Sequence, residues 1–392
     1  MFAVFTTGRK MLRRIALLLP AFVLAACQTA GVGSNNGPSI DPNAPVAVAL
    51  LVPHGSAVSN EAFLAKDLEN AARLAVSDLS GVKIDLRVYG TAGQAGLAQQ
   101  VALRAIDEGA KIIIGPLHAS SANAVAVAVA NKDVNVLAFS NNPTIAGGNL
   151  FVLGQTFENT ADRLVDFSVS QGKSRIMTVY ANNLAGQLGR DAIAQAIASN
   201  GATAAGAVQY EFSESGVVSA VPAIKQAVQS NQTNAIFTTA NAAGALPLFS
   251  EMLPEAGLGP DAMQYIGLSR WDTPRQTLSL SGVQNGWFAM PDPSRTAQYR
   301  SRFEAAYGNT PHAISGLAYD GVAAVGALVK SGKRDALTTS ALTQGAGFQG
   351  VTGVFRLLKD GTNERGLAVA TVRNNQVVVV SPAPRSFSGA GF

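Results

Sequence analysis

The sequence predicts an α/β protein of two lobes, each built on a doubly wound parallel sheet with helices on both faces. Short apolar runs such as Val46–Val52 and Ile112–Ile114 have the length and composition of buried parallel strands. Segments with apolar side chains at helical spacing, such as 60–79, alternate with these runs. Because 392 residues are long for one hydrophobic core, two lobes are expected.

Residues 46–158 contain one such alternation, and residues 159–267 contain a second. In the first alternation, strands are predicted at 46–52, 82–89, 112–114 and 134–139, with helices at 60–79, 95–108 and 122–130. In the second, strands are predicted at 175–180, 203–212, 235–239 and 263–267, with helices at 159–170, 186–199, 217–229 and 243–253. The two halves are therefore expected to share an architecture.

The pattern changes from residue 282 onward. A strand that runs into a crossing segment is predicted at 283–293, followed by helices at 295–307 and 314–331 and a shorter helix near 335–343. Segments 350–358 and 367–380 are predicted to close the chain as an antiparallel meander. Its turn is expected at Asn374 and Asn375, because asparagine tolerates the left-handed backbone of tight hairpins.

The amino terminus has the features of a secretory signal. Residues 1–26 combine four basic residues with an apolar run at 15–26, which spans about 18 Å as a helix and is too short for a bilayer core of about 30 Å. The sequence Leu24-Ala-Ala-Cys27 resembles the lipobox of bacterial lipoproteins, which implies diacylglycerol on Cys27 and cleavage before it. Gln28 in place of aspartate favours the outer membrane over the inner one. Residues 27–45 are rich in Gly, Ser, Asn and Pro and are expected to form a flexible tether.

The charge balance argues against nucleic-acid binding. Four of the 29 basic residues lie in the signal segment, which has no acid, so 25 basic and 25 acidic residues remain in the mature chain. A neutral chain without a basic cluster lacks the usual electrostatic footprint for phosphate backbones.

The segment 111–121 is the first candidate site. Ile112–Ile114 is followed by Gly115 and Pro116 and then by Ser120 and Ser121 at the start of a helix. Free N–H groups at such a helix start can receive a carboxylate or another anion. The alternative is that the serines only cap the helix.

Similar small polar or aromatic residues follow the other predicted strands. In open parallel sheets, ligands bind beyond the carboxyl ends of the strands, so these residues are predicted to line a ligand site. The alternative is that turns are polar in any case. The candidates are His54, Ser56, Ser120, Ser121, Ser140, Asn141, Thr144, Asn182, Asn183, Asn241, Trp271 and Asp272.

No enzyme is predicted, and neither a metal nor a cofactor is expected. The three histidines, His54, His118 and His312, have no metal-ligand spacing and no cysteine partner. The sequence has no His-Glu-x-x-His motif, no nucleophile elbow and no Walker loop.

Taken in order, several motifs resemble the type I periplasmic binding proteins, and in particular the receptors for leucine, isoleucine, valine and amides. The resemblance covers about residues 46–380. It depends on Asn70-Ala-Ala-Arg-Leu-Ala, the Ile-Ile-Gly-Pro turn into serines, the turn from Ser140 to Thr144, Gly286-Trp-Phe, Ser315-Gly-Leu-Ala-Tyr-Asp-Gly321 and the return at 350–353.

This resemblance implies a domain organisation. It implies two lobes joined by three crossings, near 151–155, 285–292 and 347–354. The first lobe would contain 46–152 and 290–348, and the second 155–284 and 354–385. A small polar ligand would lie in the cleft between the lobes, which would close around it.

The resemblance also implies roles for particular residues. In that family, hydroxyls of the serine turn and of a threonine after the fourth strand hold the ligand carboxylate, and Ser120 and Thr144 fall at those places. The second lobe normally supplies an acid for the ammonium group, and Asp272 beside Trp271 is the nearest one here. The implied function is a lipid-anchored receptor for an ABC permease. The alternative is a lipoprotein activator of penicillin-binding proteins, whose sequences resemble 271–275 and 286–293.

Overall fold

A computed structural model describes residues 37–387 of the chain. The predicted signal peptide, the lipidation site at Cys27 and the first part of the tether lie outside the described residues. Within residues 37–387, none of the helices combines the length and the apolar character that a membrane crossing requires.

The first sheet has five parallel strands in the order β2-β1-β3-β4-β5. Every residue of β1, β3, β4 and β5 is buried, because helices cover both faces of this sheet. The strands are β1 (Val46–Val52), β2 (Ile84–Gly90), β3 (Ile112–Ile114), β4 (Asn135–Ala138) and β5 (Leu150–Val152).

The helices of this lobe form two apolar clusters, one on each face of the sheet. Side chains of α1, α8 and α9 pack on one face, and side chains of α2 and α3 pack on the other. These helices are α1 (Glu61–Asp78), α2 (Ala95–Asp107), α3 (Ala119–Val129), α8 (Pro293–Tyr307), α9 (Gly316–Lys330) and the short α10 (Thr339–Leu342). Side chains of α8 and α9, which come from the second half of the chain, therefore pack on the first sheet.

The second sheet has seven strands in the order β15-β14-β10-β9-β8-β6-β7. The first five in sequence are parallel, and the final hairpin joins antiparallel through β14 and β10. The strands are β6 (Arg175–Ala181), β7 (Thr203–Tyr210), β8 (Ala235–Thr238), β9 (Gln264–Gly267), β10 (Trp287–Met290), β14 (Ala368–Arg373) and β15 (Gln376–Ser381). Helices α4 (Phe157–Ser170) and α5 (Leu184–Ser199) cover one face, and α6 (Glu214–Ser230) and α7 (Leu246–Glu255) cover the other.

A small antiparallel sheet lies where the chain passes between the lobes for the third time. It consists of β11 (Phe348–Gln349), β12 (Val354–Leu357) and β13 (Asn363–Arg365). Phe355 and Leu357 pack in the first-lobe core, whereas Leu367 packs in the second-lobe core. The side chains therefore change from the first-lobe core to the second-lobe core between Leu357 and Leu367, and the crossing near 347–354 stays a prediction. The meander prediction missed this sheet because its strands are only two to four residues long.

A buried ion pair connects the three crossings. The Asp320 carboxylate and the Arg365 guanidinium lie 3.3 Å apart, with side chains 0% and 5% exposed. Arg365 Nε also donates to the carbonyl of Leu153 in the first crossing, at 2.8 Å. Asp320 accepts from Val351 N at 2.7 Å and from the Thr352 hydroxyl at 2.8 Å.

The second crossing is attached to the same group. Asp292 N donates to the carbonyl of Thr352 at 2.9 Å, directly after β10. The residues that join the lobes are therefore held by one polar network, which we call the hinge network and define by Leu153, Asp292, Asp320, Thr352 and Arg365.

Candidate functional site

The strands of both sheets end in loops that carry most of the predicted site residues. We call the loops after β1, β2, β3 and β4 the first-lobe edge, and the loops after β6, β8 and β9 the second-lobe edge. Because parallel strands end at the same side of their sheet, the loops of each edge are neighbours.

Three polar side chains surround Gly93 at the first-lobe edge. His118 Nε2 lies 2.9 Å from Glu61 Oε1. A Cβ atom at Gly93 would lie 3.0 Å from Glu61 Oε2 and 3.5 Å from both His118 Nε2 and Ser56 Oγ. Glu61 Oε2 is buried and has no hydrogen-bond partner among residues 37–387. Sequence reasoning missed Glu61, because its position in the first turn of α1 looks like ordinary helix-dipole stabilisation.

The start of α3 has free hydrogen-bonding capacity. The helix begins at Ala119, three residues earlier than predicted, so Ser120 and Ser121 lie within its first turn. Its N-cap, His118, makes no side-chain capping bond, and the amides of residues 119–121 precede the first helical hydrogen bond, from Ala122 N to the His118 carbonyl. Ser120 is exposed. Ser121 is 1% exposed, and its hydroxyl has no partner within the described part of the chain. The serines are therefore not acting as caps.

The loop after β4 is ordered by its own hydrogen bonds. Ser140 Oγ accepts from Asn142 N at 3.1 Å. Asn142 Oδ1 accepts from both the amide and the hydroxyl of Thr144, at 3.0 and 2.8 Å. Asn141 and Thr144 are exposed, so the Thr144 oxygen can still accept a further hydrogen bond.

His54 is attached to α1 instead of pointing to a free surface. His54 Nε2 lies 2.9 Å from Glu69 Oε2, and Arg73 donates to Glu69 Oε1 at 2.8 Å. Burial acts to raise the pKa of Glu69, but the hydrogen bonds from Arg73 and His54 and the charge of Lys66 outweigh it, so the pKa is lowered.

The polar residues of the second-lobe edge already have protein partners. Asn182 Nδ2 donates to Glu211 Oε1 at 2.7 Å, and Asn241 Oδ1 accepts from Ala243 N at 3.1 Å. Arg270 holds Asp272 through two hydrogen bonds, of 2.8 and 2.5 Å. Asp272 is therefore neutralised by a neighbour two residues away, which the sequence did not reveal as a pair.

Trp271 does not line the second-lobe edge, which differs from the prediction. It is 1% exposed and packs against Gly267 and Gly286, where a side chain at either glycine would collide with its ring. The ring centroid lies 6.1 Å from that of Phe288. The indole borders a small cavity of about 20 Å³ that Ser250 also lines. Trp271 therefore belongs to the second-lobe core.

Two apolar side chains at the ends of β6 and β7 are exposed instead. Leu184 is 73% exposed after Asn183, which caps α5 through Gly186 N at 2.8 Å. Phe212 is 57% exposed and follows β7. The sequence prediction included Phe212 in the strand 203–212, so it did not mark this residue as exposed. Nearby, burial raises the pKa of Tyr210 to about 12, so its hydroxyl stays neutral.

Residues 37–387 contain no group of three His, Cys, Asp or Glu side chains placed to hold a metal ion. The hydrogen-bonding capacity of the site is instead carried by hydroxyls, backbone amides and carboxylates. Such an arrangement can hold a small polar molecule.

Comparison with known proteins gives a consistent result. The sequence model of the family described as periplasmic binding protein matches residues 45–376. No protein in a search of curated sequences matches.

Three solved structures illustrate the likeness in fold. A branched-chain amino acid ABC transporter periplasmic ligand-binding protein from Burkholderia xenovorans is 18% identical with a TM-score of 0.68, covering 87% of this chain and 96% of its own. An ABC transporter substrate-binding protein from Desulfitobacterium hafniense, in complex with Leu, is 17% identical with a TM-score of 0.62, covering 86% and 100%. A solute-binding protein from R. palustris, in complex with benzoate, is 17% identical with a TM-score of 0.56, covering 88% and 97%.

Proposed function

Since the chain belongs to the periplasmic binding protein family, we propose that it is a non-catalytic receptor for a small carboxylate, amino-acid-like or otherwise polar. The ligand would lie between the first-lobe and second-lobe edges and would be delivered to an ABC permease. The family is extracytoplasmic, and its fold of two lobes joined by a hinge suits closure around a ligand.

The start of α3 is the observation that carries this proposal. Three backbone amides and the unpartnered Ser121 hydroxyl lie together there, with Ser120 beside them. A carboxylate would satisfy these donors and would gain from the positive end of the helix dipole. Leu and benzoate, which are bound in two of the compared structures, have little in common apart from a carboxylate.

The remaining candidates would contact the rest of the ligand. We propose that Thr144, Ser56, Ser140 and Asn141 contribute from the first lobe, and that Asn182, Asn241 and Asp272 contribute from the second. Because Arg270 already neutralises Asp272, an ammonium group on the ligand is not required. Leu184 and Phe212 would supply apolar contact, and Trp271 would act only through packing.

A thermal-shift series can test the carboxylate site. Benzoate is compared with benzamide, and leucine with leucinamide, within a panel of amino acids, aromatic acids and small dicarboxylates. At 100 times its Kd a ligand adds about 2.7 kcal/mol to stability. We expect at least one carboxylate to raise the melting temperature and its amide to have no effect.

A matched pair of variants then tests the site itself. Ser121→Ala should weaken binding of the stabilising carboxylate about tenfold, because one hydrogen bond to a charged group is lost. Ser294→Ala removes an exposed serine from the first turn of α8 and should leave carboxylate binding unchanged. Failure of every carboxylate in the panel, or equal effects of the two variants, would contradict the proposal.

We further propose the anchoring and domain boundaries that the sequence predicts. Residues 1–26 would be removed as a signal peptide, Cys27 would carry the lipid at the outer membrane, and residues 27–45 would form the tether. The first lobe would then contain 46–152 and 290–348, extended through Leu357 by its core packing. The second lobe would contain 155–284 and the carboxyl-terminal segment up to 385.

Cys27→Ser tests the anchor, because Cys27 is the only cysteine in the chain. The variant should accumulate as an uncleaved precursor without lipid, detected by mass and by detergent partitioning. Cleavage of the Cys27→Ser variant to the mass of the mature wild-type protein would contradict the proposal. The alternative role, activation of penicillin-binding proteins, is not supported by the compared structures, which are described as transporter components.

A further inference from the structure

A second concave site lies beside the third crossing. A groove of about 580 Å³ runs between α4 and α5 on one side and the β12–β13 hairpin on the other. We call it the hinge-side groove and define it by Glu158, Asp162, Asp166, Asp360, Asn363 and Glu364. Apart from Pro143, it shares no residue with the loops of the two edges, so it is distinct from the proposed carboxylate site.

The groove has an excess of uncompensated carboxylates. Asp166 pairs with Arg163 at 3.5 Å, and Glu364 pairs with Arg356 at 2.5 Å. The third guanidinium, that of Arg365, is already bound to Asp320.

The other three carboxylates form no ion pair with the described residues, although the charge of Arg163 also acts on Asp162. Asp162 accepts only from the neutral amide of Asn200, at 2.8 Å, and Asp360 accepts only from Thr362. Across residues 37–387, no basic nitrogen lies within 4.0 Å of the carboxylates of Glu158, Asp162 or Asp360. The groove therefore carries uncompensated negative charge.

Two buried acceptors in the groove point to a ligand that donates hydrogen bonds. Asn363 is 4% exposed, and its Nδ2 donates to the carbonyls of Val152 and Gly154 at 2.8 and 2.9 Å. Flipping this amide would place its oxygen against two carbonyl oxygens, so Oδ1 is fixed as the free acceptor. In the part of the chain that the structure describes, neither Asn363 Oδ1 nor the buried Glu158 Oε2 has a partner. Unsatisfied buried acceptors are costly, and an N–H donor would satisfy them.

The spread of the carboxylates along the groove favours an organic cation. No three acidic or histidine side chains in the described part of the chain converge at metal-ligand distance. The carboxylates are instead distributed along a volume of the size that accommodates small organic ligands.

From this geometry we propose that the hinge-side groove binds a linear aliphatic diamine. One ammonium group donates to Asn363 Oδ1 and Glu158 Oε2, and the other lies among Asp162 and Asp360. The diamine therefore bridges α4 of the second lobe and the hairpin next to the hinge network, and it favours the lobe arrangement that keeps the groove at this width.

Isothermal titration of the purified full chain with 1,5-diaminopentane tests the proposal at low salt and without a carboxylate ligand. Its result is therefore independent of the thermal-shift series. The matched probes are 1,5-pentanediol, which has the same length without charge, and glutarate, which has the opposite charge. We expect submillimolar binding of the diamine at one site and no binding of the other two. No binding of the diamine at 10 mM, or equal binding of the diol, would overturn the proposal.

Variants distinguish this groove from diffuse attraction to acidic surfaces. Glu158→Gln and Asp162→Asn should each weaken diamine binding about tenfold or more, since each removes a charge-assisted hydrogen bond. Glu214→Gln is the control, because Glu214 occupies the first turn of α6 as Glu158 occupies that of α4 but lies outside the groove. Equal weakening by all three variants, or none by the first two, would overturn the proposal.

Discussion

The two edges of the cleft differ in how far their polar groups are already satisfied. At the first-lobe edge, the Ser121 hydroxyl, the Glu61 Oε2 atom and the first amides of α3 lack partners. At the second-lobe edge, Asn182 and Asp272 are bound to Glu211 and Arg270. The two lobes share a sheet architecture, but polar groups at the first-lobe edge are unpaired within the described residues, whereas those at the second-lobe edge are already hydrogen-bonded.

This difference indicates a division of labour between the lobes. A ligand gains most of its hydrogen bonds from the first lobe, because the unpaired polar groups lie there. The second lobe contributes exposed apolar surface at Leu184 and Phe212, which gains from burial when the lobes close. The comparison leads to four predictions, from the largest expected effect to the smallest.

Breaking the hinge network should have the largest effect on the free energy of unfolding, because its ion pair is buried where the lobes join. Asp320→Ala leaves Arg365 buried without a counter-charge, which should lower the free energy of unfolding by about 3–5 kcal/mol in urea denaturation. Asp85→Ala removes an exposed partner of Arg87 and should cost at most about 1 kcal/mol. Similar losses in the two variants would show that the hinge network is not special.

Trp271→Ala distinguishes packing from binding at the second-lobe edge. Loss of the buried indole should cost about 3 kcal/mol in the same measurement. Any carboxylate that stabilises the wild type should keep its affinity, because Trp271 lies beneath the surface. A loss of carboxylate affinity in Trp271→Ala that is much larger than in the control Ser294→Ala would show that Trp271 belongs to the binding site.

Truncating one polar side chain on each edge tests the comparison directly in the ligand-free protein. Asn183→Ala removes the cap of α5 and should lower the free energy of unfolding by about 1 kcal/mol. Ser121→Ala removes a buried hydroxyl without a partner, so stability should stay unchanged or rise by up to about 1 kcal/mol. Destabilisation by Ser121→Ala equal to that of Asn183→Ala would remove the distinction between the edges.

The smallest effect is expected from the pH dependence of the β1–α1 region. The pKa of Glu69 is lowered below its ordinary value of 4.5, so its ionised form stabilises the fold fully above that pH. This contribution, under about 1 kcal/mol, is lost as the pH falls through the lowered pKa. Glu69→Gln should therefore make stability fall less between pH 5 and pH 3 than in the wild type. Parallel curves for the two proteins would contradict this assignment.

The sequence predicted most of the fold because the strands and helices carry local signals. Continuous apolar runs marked β1 and β3, and the hairpin turn at Asn374 and Asn375 is confirmed, with φ of 51° and 61°. The three-residue β5 was missed and taken for a crossing, since Leu150–Val152 is too short to show a period. The two-lobe organisation and the family resemblance are also confirmed.

The site was less predictable because its character depends on which polar groups are satisfied. The sequence predicts that Ser121 lies at the start of a helix and that Asp272 lies in a loop. It does not show that the Ser121 hydroxyl is left unpaired among the described residues, or that Arg270 binds the Asp272 carboxylate. Asp320 and Arg365 of the hinge network are 45 residues apart in sequence, and no local pattern connects them. The assignments of ligand contacts to individual site residues remain predictions.

The last strand of the second sheet has a practical consequence. β15 ends the strand order, and its Val378 and Val379 are 36% and 42% exposed. An unpaired, apolar strand edge is a template for hydrogen bonding to a strand of another molecule. Self-association at high protein concentration should therefore begin at this edge, and a lysine at position 379 would suppress it without changing either the cleft or the groove.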